Sequence, residues 1–533
     1  MGFAMEKLNL IAPEYYNMVQ DIDRYADDLG KIALLWENEE GQTREITYLQ
    51  LRQESNRFAN ALKRLGLKKG DKVIITLPRI PETYSIFIGA LKLGLVISPG
   101  SEMLMAKDLL YRSVHSQAKA AICHHAVIDR FNQIRQEAVD LQYFIAVGTE
   151  ASGWFNYTKL LENESDQFEI VQTRSDDIAF LNYTSGTTGN PKGAVHHHSW
   201  AYAHQAVAAK LWMDIKENDI AWATAAPGWA KWNWSPFIST LGSGATGFVY
   251  NGRFDGQKYI SLLEKYKVNV LCCTPTEYRL MAKVSGLNQY KLPHLRSAVS
   301  AGEPLNRQAI EAFKQYFNVD VRDGYGQTEN SLMVGTLMGM EIKPGSMGKP
   351  TPGNRIDIIN EDGNPVSVGQ VGDIAIHRDT PALFKGYLND PERTSRAFRG
   401  DWYLTGDQAK KDDDGYFWFE GRSDDIIISS GYTIGPFEVE DALVKHPAVQ
   451  ECAVVASPDE IRGSVVKSFV VVKAPYEPGE ELIQQLQEHV KNMTAPYKYP
   501  REIEFVAELP KTTSGKIRRI ELRCLEQQRK LNV

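Results

Sequence analysis

Two periodicities alternate along the N-terminal part of the chain. Val73-Ile74-Ile75, Leu95-Val96-Ile97, Ala120-Ala121-Ile122-Cys123, Tyr143-Phe144-Ile145-Ala146-Val147 and Ile178-Ala179-Phe180-Leu181 are short apolar runs. Their length and their polar or glycine-marked ends predict buried strands. Before the first of them, residues 31–48 read as two short strands around the turn Asn38-Glu39-Glu40-Gly41. Leu51, Phe58, Leu62 and Leu65 then recur at helical spacing, and Gly66 supplies a stop. Thr47 and Gln50 have the spacing of a capping box, which satisfies orphan donors at a helix start. A second helix is predicted over about 82–93, before Gly94. Strands alternating with helices predict a parallel sheet covered on both faces.

The pattern changes over about 342–421. Asn360-Glu361-Asp362-Gly363-Asn364 and Lys411-Asp412-Asp413-Asp414-Gly415 are turn clusters between short apolar runs, as in hairpins. A small β-barrel-like subdomain is expected here. Beyond it, a helix over about 437–445, strands at Gln450–Ala456 and Val465–Val472, and a helix over 481–493 predict a compact α+β unit. Leu482, Leu486, Val490 and Met493 should form the apolar face of that last helix. The expected fold class is therefore α/β: a large N-terminal domain of parallel-sheet layers over residues 1–423, including the β-rich part, then a small α+β domain over 424–533.

A chain of 533 residues is too long for one core, which agrees with two domains. The net charge of −7 argues against general nucleic-acid binding. No apolar run approaches a membrane span, and no N-terminal leader pattern is seen. Cys123, Cys272, Cys273, Cys452 and Cys524 lack metal or redox spacing, so reduced thiols in a cytoplasmic protein are expected.

The strongest chemical signal is Tyr183-Thr184-Ser185-Gly186-Thr187-Thr188-Gly189-Asn190-Pro191-Lys192-Gly193. Its glycines admit close backbone approach, its hydroxyls add donors, and Lys192 adds a positive charge. Those are the needs of a polyphosphate loop. The order G-x-x-x-x-G-K-S/T is absent, so the loop is not of the Walker type. The run His196-His197-His198 suits no single metal ion, because adjacent side chains diverge; a histidine here is expected near a substrate carboxylate. Trp229, Trp232 and Trp234 fall within six residues and suit an apolar pocket wall. Ala301-Gly302-Glu303-Pro304 offers a flat backbone to a planar base. In Asp323-Gly324-Tyr325-Gly326-Gln327-Thr328-Glu329, Tyr325 offers a stacking ring, Thr328 a hydroxyl, and Glu329 a hard oxygen for Mg2+.

These motifs, taken together and in this order, resemble those of AMP-forming acyl-CoA synthetases of the adenylate-forming superfamily, with the medium-chain group closest. The resemblance extends to Pro510-Lys511-Thr512-Thr513-Ser514-Gly515-Lys516, and covers residues from about 180 to 520. It implies a nucleotide site built from Thr184–Lys192, Gly302, Glu303, Pro304, Asp323–Thr328, Asp407, Arg422 and Lys516. It implies catalytic roles for Lys516, Glu329, Thr328 and Lys192, with Glu329 and Thr187 toward the metal. It implies an acyl pocket at Trp229, Trp232, Ala301 and Gly326, and CoA contacts at Ser430, Gly431, Tyr432, Arg462 and Lys491. The C-terminal domain would be mobile about a hinge at Asp424. The pattern departs at Thr433, where the family usually has arginine.

The implied substrates are a small carboxylic acid, ATP and CoA, with Mg2+. Acetate-specific relatives carry a tryptophan where this chain has Gly326, which implies a short-branched or medium-chain acid here. Rival readings are an acetate-, propionate- or aryl-acid ligase, an adenylation enzyme loading a carrier protein, and a non-catalytic nucleotide-binding module. Lys516 is also a candidate target of a lysine acetyltransferase, since acetylation would remove its charge.

Overall fold

The computed structural model describes residues 8–184, 191–303, 305, 307–423, 425–429, 432–459, 463–494, 496–511 and 517–531. Outside them lie the expected site residues Ser185, Gly186, Thr187, Thr188, Gly189, Asn190, Pro304, Asp424, Ser430, Gly431, Arg462 and Lys516. The side chains of Tyr432 and Thr433 are likewise outside the description. Two compact units are present: Met1–Arg355 with His377–Phe398, and Ile356–Ile376 with Arg399–Val533.

The first unit holds two sheets. One has seven strands in the order Phe155–Asn156, Tyr143–Val147, Ala120–His124, Lys72–Thr76, Val96–Pro99, Ile178–Thr184, Lys192–His197. All its pairings are parallel except the last, where Thr184 faces Lys192 across an antiparallel pair. The chain therefore leaves and re-enters the sheet at neighbouring points, and the phosphate-loop motif spans that connection. The other sheet runs Ser346–Pro350, Leu332–Gly335, Val321–Gly326, Ser297–Ala301, Val270–Cys273, Ile220–Ala223, Thr246–Asn251, Ile32–Asn38, Thr43–Thr47. Its centre is parallel and its margins antiparallel. The parallel core and the predicted hairpin at 31–48 both match the sequence pattern.

Local signals explain several elements. Thr47 caps helix Tyr48–Arg64 with both bonds of the capping box present, an arrangement worth about 1 kcal/mol. Leu51, Phe58 and Leu62 are buried on its inner face. Thr274 and Glu277 repeat the same box at helix Pro275–Met281.

The second unit has a sheet of Ile356–Ile359, Gly372–His377, Trp402–Lys411 and Phe417–Arg422, a short hairpin of Ile427–Ser429 and Tyr432–Ile434, and a three-stranded sheet of Val449–Asp459, Gly463–Val472 and Glu502–Phe505. Helices Pro436–Leu443, Glu480–Met493 and Arg519–Leu531 accompany them. A boundary at 423/424 places the first of these sheets with the N-terminal domain, whereas contacts group it with the C-terminal residues. Leu482, Leu486 and Val490 enter the core of this unit as predicted, but Met493 is 49% exposed in the last turn of its helix. No described helix is long and apolar enough to cross a membrane.

Candidate active site

In the first unit, strand Lys192–His197 starts where the phosphate-loop motif ends. Lys192 Nζ lies 3.0 Å from Glu329 Oε1, joining the two strongest motifs in space. The lysine also donates to the Tyr387 hydroxyl at 2.7 Å, and that hydroxyl donates to Glu329 Oε1 at 2.9 Å. Glu329 is buried, so its charge depends on these neighbours rather than on water. Tyr387 had no signal in the sequence. It arrives through the segment Lys385–Leu388, which pairs along strand Lys192–His197: Lys385 donates to the Val195 carbonyl, Val195 to that of Gly386, and Leu388 to that of Gly193.

A second set of contacts holds the Glu329 motif from behind. Trp200 and His204 lie four residues apart on one face of helix His198–His204, and His196 is near the end of the strand before it. His196 Nε2 is 2.6 Å from the Thr328 carbonyl, Trp200 Nε1 donates to the Asn330 carbonyl at 3.0 Å, and His204 Nδ1 is 2.6 Å from Ser331 Oγ. A carbonyl only accepts, so His196 Nε2 carries the proton. His204 Nε2 meets Ser239 Oγ at 2.9 Å and the Trp234 carbonyl at 3.1 Å. It thereby ties the motif to the π-helical turn Asn233–Ser239. Burial depresses the pKa values of His196, His197 and His204 to about 4, and that of His198 to about 3. All four are neutral at pH 7. His196 thus braces the Thr328 backbone. Among the described residues no cluster of three or more His, Cys, Asp or Glu could hold a metal.

Thr184 ends its strand with a buried hydroxyl that has no hydrogen-bond partner among the described residues. The Pro191 carbonyl is held by Tyr111 Oη at 2.9 Å, and the Tyr183 hydroxyl meets His115 Nδ1 at 2.8 Å. Both ends of the loop motif are thus anchored on helix Ala106–Ser116.

Gly302 has φ +110°, a left-handed conformation suited to glycine, and its Cα faces open space. Glu303 accepts from Thr276 Oγ1 at 2.8 Å, which fixes the turn. Asp323, Gly324, Tyr325 and Gly326 lie in strand Val321–Gly326, with Gln327 and Thr328 just beyond. Asp323 accepts from the Gly324 amide at 2.9 Å, and burial raises its pKa to about 7. Lys231 Nζ donates to the Ala301 carbonyl at 2.8 Å.

Two acyl-pocket expectations need correction. Trp232 is 1% exposed and stacks on Phe237 with ring centroids 5.4 Å apart, beside Tyr84 and Phe87. It is a core residue; Trp229 is the partly exposed member of the pair. Gly326 does not leave a volume for carbons, because a Cβ there would overlap the backbone carbonyl of Ser331. Glycine is required by this close approach at an irregular point of the pairing with strand Leu332–Gly335.

In the second unit, Asp407 and Arg422 face one another across paired strands, with Nη1 3.5 Å from Oδ1. Asp407 is buried and its amide donates to Thr405 Oγ1. Lys491 lies over the Tyr499 ring, 4.5 Å from its centroid, and pairs with Glu488. Asp425, next to the expected hinge, is held by Arg523 at 2.6 Å.

A polyphosphate-loop stem, a buried carboxylate carried on the Tyr-Gly-Gln-Thr-Glu motif and a lysine between them define a nucleotide-activating enzyme site. The family comparison agrees: the chain belongs to the AMP-binding enzyme family, whose model matches residues 23–388, with the AMP-binding enzyme C-terminal domain matched over 438–516. It is 58% identical over 528 residues to an uncharacterized acyl–CoA ligase, YtcI, of Bacillus subtilis, covering 99% of each chain. It is 41% identical to the mitochondrial acyl-coenzyme A synthetase ACSM3 of Rattus norvegicus, covering 96% of this chain and 91% of that one. Among solved structures, the anthranilate CoA ligase AuaEII in complex with anthranoyl-AMP superimposes with a TM-score of 0.90 at 31% identity, over 98% of this chain and 99% of that one. A benzoate CoA ligase from Burkholderia xenovorans gives 0.83 at 30% identity, over 95% and 100%.

Proposed function

We propose that this chain is an ATP-dependent acyl-CoA ligase that works in two steps through an acyl adenylate. One oxygen of the substrate carboxylate attacks the α-phosphorus of ATP. The bond from that phosphorus to the bridging oxygen breaks, and pyrophosphate leaves with the electron pair. The CoA sulfur, having lost its proton, then attacks the acyl carbon; the carbon–oxygen bond to AMP breaks and AMP departs. The observation that carries this reading is the meeting of Lys192 and Glu329 at the stem of the phosphate loop.

A carboxylate approaching a polyanion gains little from nucleophilicity, so positioning and charge neutralisation must dominate. Lys192 and Lys516 would supply positive charge to the phosphates and to the departing pyrophosphate. Thr184 and the hydroxyls beyond it would donate to phosphate oxygens, and the buried Thr184 hydroxyl has no competing partner among the described residues. Tyr325 and the Gly302–Pro304 turn would hold the adenine, with Asp407 and Arg422 on the ribose. A single hard carboxylate fits a magnesium ion that brings its own phosphate and water ligands; Glu329 would hold it, with Thr187 alongside. When bound, the ion supplies charge neutralisation at the polyphosphate. A hinge at Asp424 between residues 1–423 and 424–533 would exchange Lys516 for the CoA contacts Ser430, Gly431, Tyr432, Arg462 and Lys491. Thioesterification needs such an exchange, because a lysine placed on the phosphates for the first step would have to make way for the CoA sulfur.

The acid is a short-branched or medium-chain carboxylic acid, a reading supported by the relatives named acyl–CoA ligase and acyl-coenzyme A synthetase. An aryl acid is the second reading, supported by the likeness to the anthranilate and benzoate ligases. The free cysteines, four buried and Cys524 exposed, suit the reducing cytoplasm. Lys516, as a cation proposed for the polyphosphate, is the residue through which a lysine acetyltransferase would silence the first step. A panel of carboxylates assayed for pyrophosphate without CoA, and for AMP with it, tests the reading. Carboxylate-dependent pyrophosphate release and CoA-dependent AMP release support it; neither product appearing with any acid would contradict it.

A further inference from the structure

The segment from Phe384 to Leu388 joins the two halves of the phosphate site. At one end, the Phe384 amide donates to the Glu329 carbonyl at 2.7 Å. At the other, Leu388 and Lys385 donate to the carbonyls of Gly193 and Val195, beside Lys192. Between them, the Tyr387 ring is buried at 6% exposure, packed on Phe384 with centroids 4.8 Å apart. Its hydroxyl donates to Glu329 Oε1 and accepts from Lys192, whose ammonium also lies 4.5 Å from the ring centroid.

This geometry sets a constraint on the nucleotide site. Glu329 Oε1 is taken by both Lys192 and Tyr387, and no side chain among the described residues bonds Oε2. If Lys192 turns toward a phosphate, Glu329 loses its cation, and the phenol is then the side chain that still fixes the carboxylate plane. A phenol is suited to this. It has one proton to give the carboxylate, and lone pairs to receive an ammonium. The ring itself is fixed by main-chain bonds on both sides of Tyr387, so the hydroxyl position does not depend on a mobile side chain.

We propose that Tyr387 is a positioning residue for the nucleotide-bound metal: it holds the Glu329 carboxylate in a fixed orientation while Lys192 moves between Glu329 and the polyphosphate. This rests on the reading of Glu329 as the metal-holding carboxylate. Groups that orient a metal ligand commonly set metal affinity within a range of about 10- to 100-fold.

The test compares the full-length protein with Tyr387→Phe, Tyr387→Met and Glu329→Gln. ATP binding is followed by tryptophan fluorescence or calorimetry as magnesium chloride is titrated, without acid or CoA, so no turnover is read. Thermal unfolding is recorded in parallel. In Tyr387→Phe the magnesium concentration for half-maximal ATP binding should rise about ten-fold; in a separate steady-state assay at saturating magnesium, KM for the acid and for CoA should stay at the parent value. Tyr387→Met, which also lacks the hydroxyl, should repeat the shift if the phenylalanine variant folds poorly. Glu329→Gln should remove most of the magnesium dependence. A parental magnesium midpoint in both Tyr387 variants, with Glu329→Gln shifted, would overturn the inference alone. A parental midpoint in Glu329→Gln would overturn the metal assignment and the inference with it.

Discussion

The ammonium of Lys192 lies 3.0 Å from Glu329 Oε1, and the glutamate side chain is only 7% exposed. The cation proposed for the polyphosphate thus neutralises the carboxylate proposed for the metal. The site is therefore compensated internally rather than by water. Removing Lys192 should leave a buried charge supported only by Tyr387. Lys192→Met should cost about 1–3 kcal/mol of stability and should lower pyrophosphate release at saturating acid. Urea unfolding and a pyrophosphate assay check the two effects. A variant as stable as its parent would show that the pair contributes no net stability.

Gly326 gives a steric prediction. Any Cβ at this position meets the Ser331 carbonyl, so Gly326→Ala should destabilise by roughly 1–3 kcal/mol. It should reduce activity by a similar factor on every acid tested. Thermal melts and a chain-length profile check it. A stable variant with a shifted profile would restore Gly326 to the pocket floor.

Three buried histidines and the half-buried His197, all held neutral, make acid stability a readout of this part of the first unit. His196, His197, His198 and His204 have folded pKa values of about 3 to 4, below the unfolded value near 6.5. The unfolded chain therefore binds more protons below that value, and stability falls as pH drops from about 6.5 toward 4. The loss runs in the direction opposite to the contribution of Asp323. That carboxyl is raised to about 7 and favours the fold at low pH, with its contribution lost as pH rises through 7. Four groups outweigh one, so the urea midpoint should be lower at pH 5 than at pH 7.5. Equal midpoints would mean that these imidazoles reach solvent.

His196 bonds the Thr328 carbonyl next to Glu329. His196→Phe keeps the ring and leaves that carbonyl unpaired, at a cost of about 1–3 kcal/mol. The first half-reaction should slow more than the second, because Thr328 and Glu329 are the residues proposed to act on the phosphates and the metal. Single-turnover rates of pyrophosphate release and of thioester formation from preformed acyl-AMP separate them. An equal fall in both would assign His196 to folding alone.

What the sequence made legible followed from distance along the chain. The capping box at Thr47 and Gln50, the face of Leu51, Phe58 and Leu62, and the core strands are local patterns, and they appear as expected. Lys192 and Glu329 were legible because each closes a compact motif. Tyr387 was not, since its importance comes from a segment laid along a distant strand. Trp229 and Trp232 look alike in sequence; only packing against Tyr84, Phe87 and Phe237 separates the core residue from the half-buried one. The four-residue spacing of Trp200 and His204 on helix His198–His204 is a usable signal, whereas His196 lies on the preceding strand and shares no helical face with them. Gly326 misled because a close backbone approach and an open pocket both call for glycine.

The central claim is that a carboxylate oxygen becomes bonded to the α-phosphorus of ATP. A single turnover with acid labelled by 18O in both carboxylate oxygens, in the presence of CoA, tests it most directly. Mass spectrometry of the products should find one labelled oxygen in AMP and the other in the acyl-CoA carbonyl. AMP free of label, or label in pyrophosphate, would contradict the account.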